Sequence, residues 1–370
     1  MIIFLKYVIF DSESLFMNPS KTKNLLIYGA YGYTGKLILN LCKEQNISPV
    51  VAGRDPEKTK AIGDAFGFEY ISFDLTDVAT IAQHIAPFKV VLHCAGPFMY
   101  TAEPMIDACI QTKTHYLDIT GEIMIFELCA QRDEAFKKAG ICAIPGVGFD
   151  VVPSDCMAAH VKKLLPDATK LTLAIYSKGG VSKGTALTMA ENLDKGGAVR
   201  QNGKIKVVPP VYKIKKFDFD GEIKECVTIP WGDVSTAYHS TQIPDIEVFM
   251  GLPKSAMKML KINRFISFIY RFEFVKNFLR KKIKSGKEGP SDTSRARSVT
   301  KIIAIAENQQ NDIAKSILTG PDGYDITAAT ALECAKRIIE TPQKPGFHTP
   351  SSYFGSDFIL QFKGITRKDF

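Results

Sequence analysis

The sequence predicts an α/β protein with two domains: an N-terminal doubly wound Rossmann domain, and a second α+β domain that contains a mostly antiparallel sheet. Three observations lead to this prediction. A glycine-rich turn follows a short apolar run near residue 29, and a helical pattern follows the turn. Apolar runs and helical patterns then alternate up to about residue 145, which is typical of a parallel sheet. Between residues 204 and 250 the apolar runs are short and separated by Gly, Pro and Asp, which indicates antiparallel pairing.

The first element is an apolar run from Leu25 to Tyr28, long enough for a buried strand. Gly29, Gly32 and Gly35 follow at the spacing G-x-x-G-x-x-G, and a helix is expected after them. In this context glycines turn the chain sharply, let a pyrophosphate approach the backbone, and let the helix pack closely on the strand. The pattern therefore predicts a dinucleotide site; the alternative is a tight turn that binds nothing. The residues expected to contact the cofactor here are Gly29, Ala30, Tyr31, Gly32, Tyr33, Thr34 and Gly35.

The other elements follow in order along the chain. In the first domain, strands are expected at 49–53, 70–74, 89–96, 115–120 and 141–145, and helices at 58–66, 78–85, 103–112 and 123–138. Strands that alternate with helices pair in parallel through right-handed crossovers, which gives the doubly wound sheet. In the second domain, helices are expected at 153–160, 185–193 and 328–339, strands at 171–176 and 299–306, and a polar loop at 285–294. The expected limits are 21–150 for the Rossmann domain, 151–340 for the second domain, which carries substrate or dimer contacts, and 341–370 for a C-terminal segment.

Residues 1–20 are interpreted as an N-terminal tail. Met1 to Phe10 is apolar apart from one lysine, and this run is too short to span a bilayer. It also lacks a small-residue cleavage site before the polar residues that follow. Because Met17 is followed by the polar run Asn18-Pro19-Ser20, we interpret Met17 as an alternative start of the protein.

Composition and cysteine spacing indicate the class of protein and its compartment. Hydrophobic residues make up 45% and charged residues 23% of the 370 residues, values typical of a globular protein. The eight cysteines include no C-x-x-C pair, so neither a disulfide framework nor a zinc site is indicated, and no bound metal is expected. Unpaired cysteines fit a reducing compartment, so we expect a cytoplasmic protein.

The net charge of +8 is concentrated in one basic segment, residues 254–287. This segment contains eleven basic residues and one acid, Glu273, and apolar residues alternate with its charges. Amphipathic helices of this kind bind anionic membrane surfaces, so peripheral membrane contact is one interpretation. The other is an ordinary helix that packs on the core with its lysines in solvent. No nucleic-acid partner is expected, because the chain has no known nucleic-acid binding module.

The residues after the second strand indicate which cofactor binds. Sites for NAD usually place an acidic residue there to accept the ribose 2′-hydroxyl, whereas this chain has Gly53 and Arg54. An arginine pairs well with a 2′-phosphate, and Lys58 is close enough in sequence to assist. The sequence therefore favours NADP(H) over NAD(H). The alternative is that Arg54 is only solvated and that Asp55 accepts the hydroxyls.

Further candidate residues lie at the ends of later strands. Ligands of parallel sheets bind beyond the carboxyl ends of the strands, so the loop after the fourth strand is expected to line the cofactor. The residues of this loop are Cys94, Ala95, Gly96 and Pro97. Asp118 is interpreted as a residue that caps a turn or holds a loop, with catalysis as the alternative, and Glu122 as the cap of the helix that follows it. Asp150, Ser154 and Asp155 join the two domains and are expected at the cleft, with Ser154 or Asp155 as the N-cap of the next helix.

Four motifs, in this order, carry a resemblance to a known family. They are Gly29-Ala-Tyr-Gly-Tyr-Thr-Gly35, Cys94-Ala-Gly-Pro-Phe98, His115-Tyr-Leu-Asp-Ile-Thr-Gly-Glu122 and Gly148-Phe-Asp-Val-Val-Pro-Ser-Asp155. Over residues 24–160 the chain resembles the saccharopine dehydrogenase-like oxidoreductases, which include bacterial trans-acting enoyl reductases. The resemblance implies an NADP(H)-binding Rossmann domain, a second domain with an antiparallel sheet, and a C-terminal segment that returns to the first domain. It does not determine a substrate, because the family includes both C–N reduction and enoyl reduction.

The second domain is expected to supply the acid–base group of a reaction. Tyr238 and His239 are candidates for donating a proton after hydride transfer, and the alternative is a core tyrosine beside a structural histidine. Lys183 stands at a helix start, where it is a candidate for binding an anionic group. Asp155 is a candidate on the cofactor or substrate side, besides its capping role.

Two hypotheses of function follow. The first is an NADP(H)-dependent oxidoreductase that delivers a hydride to an activated C=C (enoyl), C=N or C=O bond of a small-molecule or lipid-like substrate. The second is a non-catalytic nucleotide-binding or membrane-associated scaffold protein on the same fold. A homodimer is a further expectation. Turnover of NADPH with any metabolite excludes the second hypothesis.

Overall fold

The computed structural model describes residues 21–191, 196–252, 257, 272–341 and 344–370. The N-terminal tail and residues 254–256 and 258–271 of the basic segment lie outside the described residues. Among the described residues, no helix is long and apolar enough to cross a membrane.

Strands and helices alternate through the first part of the chain, as predicted. In order they are β1 (Lys23–Tyr28), α1 (Tyr33–Glu44), β2 (Val50–Gly53), α2 (Pro56–Phe66), β3 (Tyr70–Ser72), α3 (Val78–Ile85), β4 (Phe88–His93), α4 (Phe98–Thr112), β5 (His115–Asp118), α5 (Ile123–Gln131), α6 (Asp133–Ala139) and β6 (Cys142–Ile144). The helix expected from Glu103 begins at Phe98, because the restricted backbone of Pro97 (φ −68°) already suits the entry to a helix. The single helix expected at 123–138 is divided at Arg132, whose side chain turns to Glu103 of α4 (2.6 Å).

The rest of the chain forms a second set of elements. In order they are α7 (Val152–Leu164), β7 (Lys170–Ser177), α8 (Lys183–Glu191), β8 (Gly197–Gln201), β9 (Lys204–Val208), β10 (Ile214–Asp218), β11 (Ile223–Thr228), α9 (Asp233–Thr241), β12 (Asp245–Gly251), α10 (Glu273–Lys284), α11 (Asp292–Ala296), β13 (Thr300–Glu307), β14 (Ile313–Gly320) and α12 (Gly323–Glu340). The C-terminal segment contains β15 (Gly346–Phe347), α13 (Pro350–Phe354), a 3-10 turn (Phe358–Gln361) and β16 (Thr366–Asp369).

The strands form two sheets of different kinds. The first sheet has the order β3-β2-β1-β4-β5-β6-β15, and all neighbouring strands are parallel. Its switch point lies between β1 and β4, at whose carboxyl ends a dinucleotide binds in folds of this type. The second sheet has the order β10-β11-β12-β7-β13-β14-β16, with β8 between β12 and β9, and only the pair of β12 and β7 is parallel among the described strands. The predicted fold class, a doubly wound Rossmann domain with a second, mostly antiparallel domain, is confirmed.

The two sheets share elements and a core. The long helix α12, which follows the second sheet, packs on α1, β4 and β5 of the first sheet. The C-terminal segment contributes β15 to the first sheet and β16 to the second. One apolar core runs from Ile27 and Leu92 in the first sheet through Leu332 of α12 to Ile302 and Leu318 in the second. The two sheets are therefore joined by one continuous apolar core.

Candidate active site

The glycine turn after β1 forms a backbone cradle at the start of α1. Gly29 has φ +84°, and a Cβ at this position would lie 2.8 Å from the amide nitrogen of Ala95 in the loop after β4. At Gly35 a Cβ would lie 2.6 Å from the carbonyl oxygen of Ala30, so α1 packs on the turn only with glycine there. Gly32, the N-cap of α1, provides no side-chain cap, and the first turn of α1 has no acidic residue. The first N–H groups of this helix are therefore suited to a pyrophosphate.

The residues after β2 are the predicted place for the ribose of a dinucleotide. A Cβ at Gly53 would collide with the ring of Tyr31, so this ring lies directly over the end of β2. Arg54 follows with an exposed side chain. Asp55 is engaged as the N-cap of α2, because its carboxylate accepts a hydrogen bond from the backbone N–H of Lys58 (3.1 Å) and pairs with the Lys58 ammonium (3.0 Å). These contacts with Lys58 lower the pKa of Asp55, and they leave Arg54 as the cation available to a 2′-phosphate.

The loop after β4, from Cys94 to Pro97, is held by a carboxylate from the loop after β5. Glu122 accepts hydrogen bonds from the backbone N–H groups of Phe98 (2.8 Å) and Met99 (2.9 Å), the first residues of α4. The prediction that Glu122 caps the helix that follows it is wrong, because this carboxylate caps α4 and α5 has no side-chain cap. Burial raises the pKa of the Cys94 thiol and keeps it protonated. The loop is thereby fixed beside the glycine turn.

Asp118, at the end of β5, joins two loops. Its buried carboxylate accepts hydrogen bonds from the Tyr116 hydroxyl (2.7 Å) and from the backbone N–H groups of Thr120 (2.9 Å) and Gly146 (2.8 Å). Burial raises the pKa of Asp118 to about 6. Because these three bonds use most of its capacity to accept, they support the interpretation of Asp118 as a residue that holds a loop.

Asp150 is a carboxylic acid at the cleft between the domains. One of its carboxylate oxygens would lie 2.7 Å from a Cβ at Gly121, which places the group against the loop after β5. Its negative charge raises the pKa of Tyr324, at the start of α12, and that of Asp233, at the start of α9, in both cases after the larger effect of burial. Burial raises the pKa of Asp150 to about 6, and no described residue donates a hydrogen bond to its carboxylate. An acid of this kind is partly protonated near neutral pH.

The sequence places Asp150 at the cleft but does not indicate that the pKa of its carboxyl is raised. Its position in the chain is readable from the segment that joins the domains. Its raised pKa comes from burial beneath elements that are distant in sequence. No local sequence pattern indicates this raised pKa.

A segment of the second domain, residues 288–295, covers the cradle; we call it the covering segment. The hydroxyl of Tyr33, the first residue of α1, donates a hydrogen bond to the carbonyl oxygen of Pro290 (2.6 Å). The same hydroxyl accepts a hydrogen bond from the guanidinium of Arg295 (3.0 Å). The sequence predicts only a polar loop at 285–294, whereas the structure docks this stretch on the helix that begins the dinucleotide site.

Tyr324 fixes the start of α8 at the cleft. Its hydroxyl accepts a hydrogen bond from the backbone N–H of Ser182 (2.5 Å) and is bonded to the Thr185 hydroxyl (3.0 Å). Its ring meets the ring of Tyr33 edge-on, with 5.0 Å between the centroids. Lys183, the first residue of α8, is half-buried between these contacts. Lys183 is thus the predicted candidate for chemistry that contacts the covering segment, because its backbone N–H donates a hydrogen bond to the carbonyl oxygen of Glu288 (2.8 Å).

Tyr238 and His239 lie in a contact between α9 and the first domain. The guanidinium of Arg200 stacks on the Tyr238 ring, 4.2 Å from its centroid, and pairs with Glu127 of α5 (2.8 Å). Nε2 of His239 lies 3.6 Å from the same carboxylate. His239, followed by Ser235 and Arg200, holds the pKa of Glu127 down to about 2. The structure gives both residues partners that join the domains, and a role for them in proton transfer stays a prediction.

Asp155 lies inside the protein, on α7. Its carboxylate accepts hydrogen bonds from the Ser240 hydroxyl (2.7 Å) and from the backbone N–H of Ser351 (2.7 Å), which joins α7 to α9 and α13. The prediction that Ser154 or Asp155 caps this helix is wrong. The helix begins at Val152, before both residues, and has no side-chain cap, since a proline in its first turn suits an earlier start.

Comparisons with known proteins agree with this geometry. Residues 25–144 match the family model described as the saccharopine dehydrogenase NADP binding domain. The saccharopine dehydrogenase-like oxidoreductase of Bos taurus is 30% identical over 152 residues, which cover 36% of this chain and 35% of that protein. The trans-acting enoyl reductase of Mycobacterium ulcerans is 27% identical over 185 residues, which cover 45% of this chain and 44% of that protein. The chain thus spans less than half the length of these two curated relatives.

A solved structure resembles the chain over most of its length. Apo saccharopine dehydrogenase (L-Glu forming) from Saccharomyces cerevisiae aligns with a TM-score of 0.63 and 16% identity over 94% of this chain and 100% of that chain. At this identity the likeness shows the fold. The description of the matching family names NADP, which confirms the predicted preference for NADP(H).

Proposed function

We propose that the protein is an NADP(H)-dependent oxidoreductase, because residues 25–144 match the family model of the saccharopine dehydrogenase NADP binding domain. The proposed reaction is hydride transfer to an activated C=C, C=N or C=O bond of a small-molecule or lipid-like substrate. The observation that carries the proposal is the uncapped and acid-free N-terminus of α1 beneath the covering segment of the second domain.

The described residues fit the cofactor at three places. The N–H groups at the start of α1 suit the pyrophosphate, because no side chain caps them and the first turn of the helix has no acidic residue. The exposed guanidinium of Arg54 suits the 2′-phosphate. The loop from Cys94 to Pro97, held by Glu122, lines the path toward the cleft. NADPH supplies a hydride when it is bound there.

Asp150 is the proposed proton donor of the reaction. Hydride addition to a polar double bond leaves negative charge on the substrate, which a nearby acid neutralises. With a pKa of about 6, the Asp150 carboxyl retains a proton in a fraction of molecules at neutral pH, and no described residue competes for it by hydrogen bonding. Because the neutral carboxylic acid is the active form, turnover is expected to fall as the pH rises above this value.

Lys183 is proposed to orient an anionic group of the substrate. It is the first residue of α8, whose start Tyr324 holds at the cleft. An ammonium at a helix N-terminus adds to the positive end of the helix dipole, so the two together attract a carboxylate or phosphate. This arrangement favours substrates that carry such a group near the reacting bond.

Binding of cofactor by the purified protein tests the proposal directly. NADPH is expected to bind more tightly than NADH in calorimetry. The substitution Arg54→Ala is expected to weaken NADPH binding about 10- to 100-fold, which is the effect of losing charge-assisted hydrogen bonds worth about 1.5–3 kcal/mol, and to leave NADH binding nearly unchanged. Lys60→Ala is the matched control, because Lys60 is an exposed cation on α2 that pairs with Asp64.

Two results would count against the proposal. If neither NADPH nor NADH binds at millimolar concentration, the glycine turn is a tight turn that binds no dinucleotide. If NADPH binds but is not oxidised with any enoyl thioester, imine or carbonyl substrate in a broad screen, the second hypothesis, a nucleotide-binding scaffold, takes its place.

A further inference from the structure

The inner side of α10 anchors this helix to the second domain. The guanidinium of Arg280 donates two hydrogen bonds to the Glu191 carboxylate at the end of α8 (2.6 and 2.8 Å), and Glu191 is only 6% exposed. The bond with Arg280 lowers the pKa of Glu191, so the pair stays charged at neutral pH. Val275 and Leu279, on the same side of the helix, are half-buried. The orientation of α10 is therefore defined, and its other side faces solvent.

The outer side of α10 exposes aromatic rings. Phe274 is 73% exposed and Phe278 is 67% exposed, and their spacing of four residues puts them next to each other on the helix surface. Phe272, just before the helix, is 53% exposed, and its ring centroid lies 5.8 Å from that of Phe274. Contiguous apolar surface of this kind marks a place where a soluble protein contacts a partner.

Positive charge surrounds the rings. Residues 272–287 contain six basic residues and one acid. That acid, Glu273, pairs with Arg280 (3.1 Å). Lys281 and Lys282 are exposed and follow Phe278 by one helical turn, so they flank the rings. A surface of aromatic rings with lysines at its edge complements anionic headgroups above an apolar layer.

We propose that this surface, made of Phe272, Phe274, Phe278, Lys281 and Lys282, docks on an anionic membrane; we call it the aromatic–basic face. The rings enter the boundary between headgroups and acyl chains, and the ammonium groups stay among the headgroups. Exposed aromatic rings on a helix that is rich in lysine and arginine are typical of helices that lie on an anionic membrane, which favours a lipid surface over a protein partner. The proposal goes beyond the proposed reaction and does not depend on it.

Flotation of the purified full-length protein with vesicles tests the proposal. The protein is expected to float with vesicles of phosphatidylcholine mixed with phosphatidylserine, to stay behind with pure phosphatidylcholine, and to bind less at high salt. The double substitution Phe274→Ser and Phe278→Ser is expected to reduce partitioning by about ten-fold or more, because the buried apolar area is lost. Lys281→Glu with Lys282→Glu is expected to remove the preference for phosphatidylserine.

A matched control separates this face from general surface effects. Val207, which is 74% exposed, and the exposed Lys204 both lie on β9. The variant Val207→Ser with Lys204→Glu therefore replaces an exposed apolar residue by serine and a lysine by glutamate at another place on the surface. This control variant is expected to float like the unchanged protein, and circular dichroism checks that all variants fold. Equal flotation of the phenylalanine variant and the unchanged protein would overturn the proposal. The proposal would also be overturned if no protein floats and sedimentation shows a dimer that the phenylalanine variant abolishes. The face would then be a contact between two copies of the chain.

Discussion

The substitution Asp150→Asn is expected to stabilise the folded protein near pH 8 while it removes the proposed proton donor. Asn has the size of Asp but no charge, so it resembles the protonated acid. In the folded protein Asp150 is half-buried with its carboxyl against the loop after β5, and no described residue donates a hydrogen bond to it. Ionising this carboxyl therefore costs free energy that ionising it in the unfolded chain does not.

The magnitude follows from the pKa. The difference between the ordinary value of 3.8 and the value of about 6 for folded Asp150 corresponds to about 3 kcal/mol. Because the pKa is raised in the folded state, this penalty is absent below about pH 4, grows between about pH 4 and pH 6, and is constant above that. With an unfolding entropy of about 2.1 cal/mol/K per residue, the 370 residues give about 0.8 kcal/mol/K, so Tm rises by about 4 °C at alkaline pH.

Thermal denaturation of both proteins over a series of pH values measures this effect. The difference in Tm between Asp150→Asn and the unchanged protein is expected to be small near pH 4 and to reach its full size above pH 7. Asp118→Asn is the contrasting variant, because burial raises the pKa of Asp118 to about 6 as well, yet its carboxylate accepts three hydrogen bonds. That variant is expected to lose stability at every pH, since an amide cannot accept all three.

A Tm difference that does not change with pH would refute the reasoning, because it would mean that Asp150 ionises in the folded state as easily as in the unfolded chain. A loss of stability near pH 8 would refute it more strongly, since the carboxylate would then have a favourable partner. The expected gain in stability together with a loss of turnover would place Asp150 among residues that are retained for chemistry at the expense of stability.

Two further substitutions test contacts that hold the cleft. Glu122→Ala removes the carboxylate that accepts hydrogen bonds from the N–H groups at the start of α4, including that of Phe98. We therefore expect a loss of about 2–3 kcal/mol in the free energy of unfolding and weaker NADPH binding. An unchanged Tm would contradict the capping role. Arg280→Met removes the partner of Glu191, and we expect a loss of about 2 kcal/mol. Because the pKa of Glu191 is lowered in the folded state, this loss should be present near pH 7 and should shrink as the pH falls below the ordinary pKa of glutamate, as thermal denaturation over this range will show.

Features that depend on a short stretch of chain are predictable from the sequence. The turn from Gly29 to Gly35 has its strand, its glycines and its helix within residues 23–44, and all three appear in the structure as expected. The position of Arg54 is equally local, since it follows β2 directly. The alternation of strands and helices also identifies the parallel sheet, because it follows from the period of the apolar residues.

Contacts between residues that are distant in sequence are not predictable from local sequence patterns. Glu122 caps α4 rather than its own helix because the fold brings together the loops at the carboxyl ends of β4 and β5. His239 has a partner in α5 and Asp155 has one in α13, both far away in sequence. The docking of the covering segment on Tyr33 joins residues more than 250 positions apart. In each case local sequence indicates a capable side chain, and only the tertiary structure determines what it binds.

The C-terminal segment has a consequence for how the protein is synthesised. The strand β6 leaves the ribosome early, but its neighbour β15 lies some two hundred residues later in the chain, and α12, which covers β4 and β5, comes just before β15. Until these residues emerge, one edge of the first sheet is unpaired and part of its apolar face is bare. The dinucleotide domain therefore cannot be completed while it is being translated, although it occupies the first part of the chain. Its final assembly waits until residues 323–347 have emerged, so the nascent protein carries an open sheet edge while the second domain is being made.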